Sequence, residues 1–187
     1  MVSHFESGPG AMYLTELKQD AKTGKLTAVR TRPLDFSHVN GGWVHCAGSV
    51  SPWGTHLGSE EYPMNARQWL NGSVDDYNAR MAAYFPGSSS FATLNEASLE
   101  LVNPYDYGFV TEVVVNNYDS ATVGKHYAMG RIAVELAYVM PNRKTAYISD
   151  DGSMVGLFRF EADRVNDLSS GTQGNRAYLT LDIEGLV

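Results

Sequence analysis

The fold is decided at residues 43–62, which read WVHCAGSVSPWGTHLGSEEY. This run holds two tryptophans, two histidines, the only cysteine of the chain and a pair of carboxylates, a mixture that an ordinary core strand does not need. Three glycines and a proline interrupt it, so we expect a strand that turns tightly and returns. It ends at Glu60 and Glu61, and adjacent carboxylates repel unless they face water or share a cation. Two interpretations stay open: a metal site at the strand end, or a solvated turn.

The composition is that of a globular protein with a sizeable core. The chain has 187 residues, of which 43% are hydrophobic and 19% are charged. Its net charge of −7 excludes a nucleic-acid backbone as the expected partner, but it does not exclude a phosphate-containing small molecule, because bound cations can reverse the local field. A single cysteine excludes an intrachain disulfide. We expect no membrane span, and the N-terminus lacks a signal-peptide core, although a signal can be removed or lie outside this sequence.

Outside the central run, short apolar segments bounded by turn residues predict β-strands. The segments are residues 12–17, 26–30, 108–115, 131–140, 145–149, 156–160 and 177–181. Turn residues at 22–25 and 150–153 predict hairpins between their neighbours. The alternation of strand and helix that a parallel sheet requires is absent. The sequence therefore predicts an all-β, mainly antiparallel fold with partial β-propeller-like blades.

One helical insertion interrupts the strands at residues 63–90. Its strongest helix is predicted over 74–85, where Ser73 can cap the start. Two stretches outside the insertion carry no predicted strand or helix: residues 91–105 are polar and give no clear assignment, and residues 1–10 are expected to be a loose start. We interpret the insertion as part of one domain rather than as a second domain.

Carboxylates recur where apolar strands stop or turn. They are Glu60 with Glu61, Glu135 within its strand, Asp150 with Asp151, and the weaker candidate Glu112. A lone carboxylate among apolar neighbours, as at Glu135, is costly to bury without a partner. Strand alternation puts it on the same face as Arg131, so it lies on an exposed polar face, forms an ion pair with Arg131 or faces a cation. Oxygen clusters of this kind select hard cations such as calcium, magnesium or ferric iron, whereas Asp and Gly after residue 149 also suit a simple hairpin turn.

Nucleophilic and nucleotide-binding motifs offer no alternative site. The chain lacks the G-x-S-x-G, P-loop and dinucleotide fingerprints. Cys46 would need a base such as His45 to act as a nucleophile, and a buried small residue is the other interpretation. His45, His56 and His126 can also supply nitrogen ligands, but a lone histidine is more often a surface or hydrogen-bonded residue.

Four segments together resemble the PhoX-type alkaline phosphatase family. Residues 46–61 resemble its signature C-A-G-G-x-T-P-W-G-T-W-L-x-C-E-E, and this is the most specific of the four. Residues 108–113 are similar to H-G-[YW]-V-x-E-[VI], and residues 130–135 to G-R-F-x-H-E. Residues 147–160 resemble Y-x-T-E-D-R followed by G-L-[FY]-x-F. The matching blocks keep the family's order.

The resemblance implies a β-propeller of about six blades that is exported across the bacterial inner membrane, to the periplasm or beyond. It also implies a calcium- and iron-dependent phosphomonoesterase with its metals at one mouth of the propeller. Arg131 falls on the motif arginine, for which we expect a catalytic role. Four carboxylates fall on or beside acidic metal positions of the family: Glu60, Glu61, Glu135 and Asp150.

Departures from the family pattern shape the expected function. Ser59 stands where the family has the cysteine that holds iron, so a calcium-only or magnesium site is expected rather than an iron site. Val134 replaces a histidine, and Asp150 replaces a longer glutamate. At about 40–50 residues a blade, residues 1–187 are a single domain or a fragment holding roughly half of such a ring. We therefore expect a segment of a PhoX-like phosphatase, or a non-catalytic module with a stabilising calcium, whose missing blades come from self-association or from another chain.

Overall fold

Antiparallel β-sheets build most of the molecule. The computed structural model describes residues 1–153 and 155–177. These residues form three sheets, in each of which neighbouring strands follow one another along the chain. The first sheet contains β1 (Val2–Phe5), β2 (Ala11–Gln19) and β3 (Leu26–Pro33). The second contains β4 (Ser49–Val50), β5 (His56–Gly58), β6 (Thr111–Val115) and β7 (Ala121–Lys125). The third contains β8 (Val134–Val139), β9 (Thr145–Asp150), β10 (Leu157–Arg164) and β11 (Asp167–Ala177).

The second and third sheets are four-stranded antiparallel meanders, which is the arrangement of a propeller blade. The expected hairpin of the third sheet is present, with Leu157 opposite Ser149. The hairpin of β2 and β3 is present as well, with Gln19 opposite Leu26. The prediction of a mainly antiparallel all-β fold with blade-like sheets is therefore confirmed.

A helical segment joins β5 to β6. It contains α1 (Ala66–Leu70), α2 (Asp76–Ala79) and α3 (Leu94–Leu101). Side-chain oxygens of Asn65, Asp75 and Thr93 cap the three starts by accepting backbone N–H groups. The helix predicted over 74–85 is shorter, because α2 is capped by Asp75 and gives way to a 3₁₀ turn at Arg80–Tyr84. The helical segment also extends past residue 90, since α3 forms within residues 91–105, for which no element was predicted.

Three buried clusters hold these parts together. One joins the second sheet to the third and contains Leu57, Val110, Val134, Ile148 and Phe160. Another joins the first sheet to the second and contains Met12, Leu14, Phe36, Val113 and Val123. The last lies under the helical segment and contains Trp43, Met64, Trp69, Met81 and Tyr107. The second sheet thus lies between the other two, and the central run of the sequence contributes Leu57 to the cluster between the second and third sheets and Trp43 to the one under the helical segment.

The ends of the chain differ from expectation. Residues 1–10 are not a loose start, because β1 pairs with β2 and places Val2 opposite Leu14. The strand predicted over 131–140 begins only at Val134. Residues 178–181 of the last predicted strand lie outside the described residues. None of the described helices has the length and apolar character needed to span a membrane.

Candidate metal centre

Acidic side chains from separate elements meet near the end of β5. Glu61, Glu135 and Asp151 each offer one oxygen, and these atoms lie within 4.8 Å of one another. Glu6, Cys46 and Glu61 form a second group of the same size, so that Glu61 belongs to both. Glu61 follows β5, Glu135 lies in β8, Asp151 follows β9 and Glu6 follows β1. We call these five residues the acidic cluster.

Glu135 reaches the cluster through a bulge in β8. The residues on either side of it pair with two consecutive residues of β9, so Glu135 itself has no partner in the register. A bulge leaves the extra residue unpaired and redirects its side chain. The Cys46 thiol lies 3.4 Å from Glu135 Oε1. The side chains from Arg131 to Glu135 therefore do not alternate between the two faces of the sheet as predicted.

Two strained backbone positions surround Glu61. Val44 has a φ of 34° and Tyr62 a φ of 47°, in the left-handed region that β-branched and bulky residues rarely adopt. The Val44 carbonyl accepts a hydrogen bond of 3.0 Å from the Glu61 N–H. The Tyr62 hydroxyl donates to the Asp151 carboxylate. Such strain persists where the surrounding structure fixes it, and it concentrates at functional sites.

The carboxyl groups of the acidic cluster differ in their pKa shifts, since hydrogen bonds with Tyr62 and Glu61 lower the pKa of Asp151. Burial raises the pKa of Glu61, and the hydrogen bond with Asp151 adds to this rise. Burial also raises the pKa of the Cys46 thiol to about 12, with further contributions from Glu135 and Glu61. Carboxylates this close cannot all be ionised comfortably without a cation. The group therefore either shares protons or binds a cation.

Glu60 lies beside this cluster but is engaged elsewhere. Its side chain and that of Lys125 are both fully buried, with Nζ 2.9 Å from Oε1. Its carboxylate also accepts backbone N–H groups of Trp43 at 3.1 Å, Gly108 at 3.0 Å and Phe109 at 3.3 Å. Four donors use the hydrogen-bonding capacity of an ionised carboxylate. The two adjacent glutamates therefore have different surroundings, and the carboxylate at the cluster is that of Glu61.

Asp150 and Arg131 likewise make contacts within the protein. Asp150 Oδ1 accepts the Ala133 N–H at 3.1 Å, and its neighbour Asp151, not Asp150 itself, belongs to the acidic cluster. Arg131 Nε donates to the Tyr107 carbonyl at 2.8 Å. Its Nη2 donates to the carbonyls of Met64 at 2.7 Å and Pro104 at 2.9 Å. Because these carbonyls flank the helical segment, Arg131 fastens both ends of that segment to the start of β8.

Sequence reasoning did not select three members of the acidic cluster. Glu6 was not considered because residues 1–10 were expected to be loose, and Asp151 was named only as the neighbour of Asp150, which matched the family motif. Cys46 was interpreted as a buried small residue, and its thiol is half-buried beside Glu135. The adjacency of Asp150 and Asp151 was a signal for the second of them, since either side chain could point toward the acidic cluster.

Comparison with known proteins identifies the family. The profile of the family described as Alkaline phosphatase PhoX matches residues 14–185, which is most of the chain. The chain belongs to the PhoX family. Among solved structures, Pseudomonas fluorescens PhoX in complex with vanadate, a transition state analogue, aligns with a TM-score of 0.50 and 19% identity. The alignment covers 87% of this chain but only 35% of that one, so the chain spans about a third of the length of the PhoX structure it matches. No curated protein shows significant similarity.

The PhoX signature also has a structural part, at Pro52-Trp53-Gly54-Thr55. Trp53 Nε1 donates to Glu112 at 2.9 Å, and the Thr55 hydroxyl donates to the same carboxylate. His126 Nε2 lies 2.8 Å from the other oxygen of Glu112. Burial alone would raise the pKa of Glu112, but the hydrogen bonds from His126, Thr55 and Trp53 outweigh it and lower the pKa. In this PhoX chain the motif therefore fixes β5 against β6.

The variant Glu112→Gln is expected to lose about 1–2 kcal/mol of stability at pH 7, because it removes hydrogen bonds to a charged acceptor. A lowered folded pKa gives stability that is present above the ordinary value near 4.5 and is lost as the pH falls through the folded value. The difference between variant and wild type should therefore shrink below pH 4.5. Urea unfolding at pH 7 and pH 3.5 measures it, with exposed Glu100→Gln as the control. A difference that grows toward low pH would contradict this assignment.

Proposed function

We propose that this chain is a segment of a PhoX-like, metal-dependent phosphatase that hydrolyses phosphomonoesters. The observation that carries the proposal is the convergence of Glu61, Glu135 and Asp151 from three elements of a PhoX-family chain. The aligned PhoX structure contains vanadate, a transition state analogue, which supports phosphate chemistry for this fold. Acidic side chains alone would repel a phosphate, so a cation between them is needed for binding.

Calcium is the cation we propose. Carboxylate oxygens are its preferred ligands, and Glu61, Glu135 and Asp151 supply them within one small volume. Ser59, which stands at the position of the family's iron-binding cysteine, is buried and donates its hydroxyl to the Ala47 carbonyl at 2.9 Å. That contact supports a site without iron. A bound cation would supply positive charge that neutralises phosphate oxygens during transfer.

The residues predicted from sequence divide into two roles in this proposal. We propose Glu61 and Glu135 as metal ligands, and add Asp151 as the third. Glu60 and Asp150 are proposed to hold the backbone around the ligands, since their carboxylates already accept protein N–H groups. For Arg131 we propose positioning of the helical segment instead of contact with phosphate, because its Nε and Nη2 donate to three backbone carbonyls.

The partners and location follow from the family. The substrate class is a phosphate-containing small molecule. The chain spans 35% of the PhoX structure it matches, and we propose that its exposed sheet edges pack against further propeller blades. A periplasmic or extracellular location, where calcium is abundant, is proposed from the family resemblance.

The second candidate function is a non-catalytic structural or binding module that retains one stabilising calcium. The observation that favours it is Ser59 at the iron position, whose hydroxyl already donates to the Ala47 carbonyl. Such a module would keep the acidic cluster as a calcium site that stabilises the sheets.

Hydrolysis of p-nitrophenyl phosphate by the full chain distinguishes these candidates. We expect turnover that requires calcium, stops with a chelator and is not increased by iron. Elemental analysis of the purified protein should find calcium. Bound calcium without turnover would support the module, whereas the absence of both calcium binding and turnover would contradict both candidates.

A further inference from the structure

Two histidines meet where the first and second sheets touch. His4 lies on β1 and His56 on β5, and their Nε2 atoms are 2.6 Å apart. The ring centroids are 4.8 Å apart with an interplanar angle of 78°, so one ring points edge-on at the other. Both side chains are half-buried. The PhoX signature has tryptophan at the position of His56, so this pair does not belong to the family's metal arrangement.

The hydrogen bonds define the protonation of the pair. His4 Nδ1 lies 2.9 Å from the Cys46 carbonyl, which can only accept, so His4 donates from Nδ1. The Nε2 atom of neutral His4 therefore carries a lone pair, and this lone pair accepts a hydrogen bond from the Nε2–H of His56. Metal-binding histidines usually have this tautomer, in which Nδ1–H donates to a carbonyl and the lone pair is on Nε2.

The local backbone is shaped around these two rings. A Cβ atom at Gly48 would lie 2.9 Å from His56 Cε1 and 3.1 Å from His4 Cε1, and one at Gly58 would lie 3.1 Å from His4 Cε1. Larger residues at these positions would push the rings apart. Burial lowers the pKa of His4, and burial together with His4 lowers the pKa of His56 to about 4. Both rings are therefore neutral at pH 7, and protons do not compete with a metal for their nitrogens.

We propose that His4 and His56 form a transition-metal site for Zn²⁺ or Cu²⁺, separate from the acidic cluster. Imidazole nitrogen suits these metals, whereas carboxylate oxygen suits calcium, so the two sites select different cations. On binding, the metal takes the Nε2 lone pair of each ring, and the proton on His56 Nε2 moves to Nδ1 of the same ring. Zinc–nitrogen bonds are about 2.0–2.1 Å long, so the distance between the two Nε2 atoms has to increase by less than about 1 Å. Water completes the coordination. The bound metal would join β1 to β5 and thereby the first sheet to the second.

Titration calorimetry of the full chain with Zn²⁺ or Cu²⁺, in saturating calcium, tests this site. Wild type should bind one equivalent, and His4→Gln and His56→Gln should each weaken binding by at least about tenfold. His38→Gln is the matched control, since His38 is exposed and its Nε2 lies 2.8 Å from the Val123 carbonyl, away from the His4–His56 pair. No transition-metal binding by wild type, or equal binding by all variants, would overturn the proposal.

If a variant does not fold, electron paramagnetic resonance of the wild-type Cu²⁺ complex tests whether imidazole nitrogens coordinate the metal. Two imidazole nitrogens should couple to the copper at one equivalent of metal. A spectrum with oxygen ligands only would place the copper away from the two imidazole rings and would also overturn the proposal. Because neither the titration nor the spectrum measures turnover, this result is independent of phosphatase activity.

Discussion

Replacing Lys125 with methionine is expected to lower the free energy of unfolding by about 3–5 kcal/mol, because it leaves a buried charge without its partner. Lys125 and Glu60 have side chains that are 0% exposed, and Nζ also donates to the Asp106 carbonyl at 2.8 Å. The ammonium lies 4.6 Å from the centre of the Tyr107 ring as well. Urea unfolding followed by tryptophan fluorescence measures the change, since Trp43 and Trp69 are buried.

Two controls separate the buried pair from a general loss of charge. Lys18→Met removes an exposed lysine and should change stability by less than about 0.5 kcal/mol. The double variant Lys125→Met with Glu60→Gln should recover part of the loss, because it also removes the unpaired carboxylate. If Lys125→Met were as stable as Lys18→Met, the ion pair would have no role in stability. If the double variant lost the sum of both single effects, the two residues would not be coupled.

The Glu60–Lys125 pair matters to the site because it fixes the peptide next to Glu61. The Glu60 N–H donates to the Phe109 carbonyl, and the Glu60 carbonyl accepts from Val134 N–H, each at 3.1 Å. Glu60 therefore joins β5, the start of β6 and β8 at one point. Glu61 extends from this fixed point toward Glu135. Adjacent glutamates in the sequence thus divide into one that holds the backbone and one that is available to a cation.

Local sequence patterns were sufficient to predict most of the sheets. The hairpins of β2 with β3 and of β9 with β10 are short, alternate between polar and apolar residues and have turn residues between them. Their pairing depends on neighbours in the sequence, so a pattern of period two was informative. The helical segment was also recognisable, but α2 is capped by Asp75 instead of Ser73, and the later α3 packs through Ala97 into the cluster that contains Trp43 and Tyr107. Helix propensity alone could not locate these boundaries.

The candidate site was only partly predictable because its geometry depends on long-range contacts. Strand alternation could not reveal the bulge that turns Glu135 toward Cys46, since a bulge depends on the register with β9. Glu60 looked like a ligand, yet its role is set by Lys125 on a different strand. Glu6 joins the cluster only because β1 pairs with β2. The sequence predicted a site of Glu60, Glu61, Glu135 and Asp150, whereas the structure brings Glu61 and Glu135 together with Asp151.

Replacing Glu61 with glutamine is expected to have opposite effects with and without calcium. Without calcium the variant should be at least as stable as wild type, by up to about 1 kcal/mol, because it removes one of three carboxylates whose oxygens lie within 4.8 Å. With calcium at 100 times its dissociation constant, wild type should gain about 2.7 kcal/mol. If losing the ligand weakens binding by about 100-fold, the variant gains only about 0.4 kcal/mol.

The sign of the stability change without calcium distinguishes a metal ligand from a residue that only supports the fold. A glutamate that only supports the fold would destabilise the protein when replaced, with or without calcium, whereas a ligand held in a repulsive group would not. Glu135→Gln should behave like Glu61→Gln, because its oxygen belongs to the same group. Glu100→Gln, on an exposed face of α3, should retain the full gain from calcium. Equal gains from calcium in wild type, Glu61→Gln and Glu135→Gln would show that calcium binds elsewhere, and the metal centre would have to be assigned to other residues.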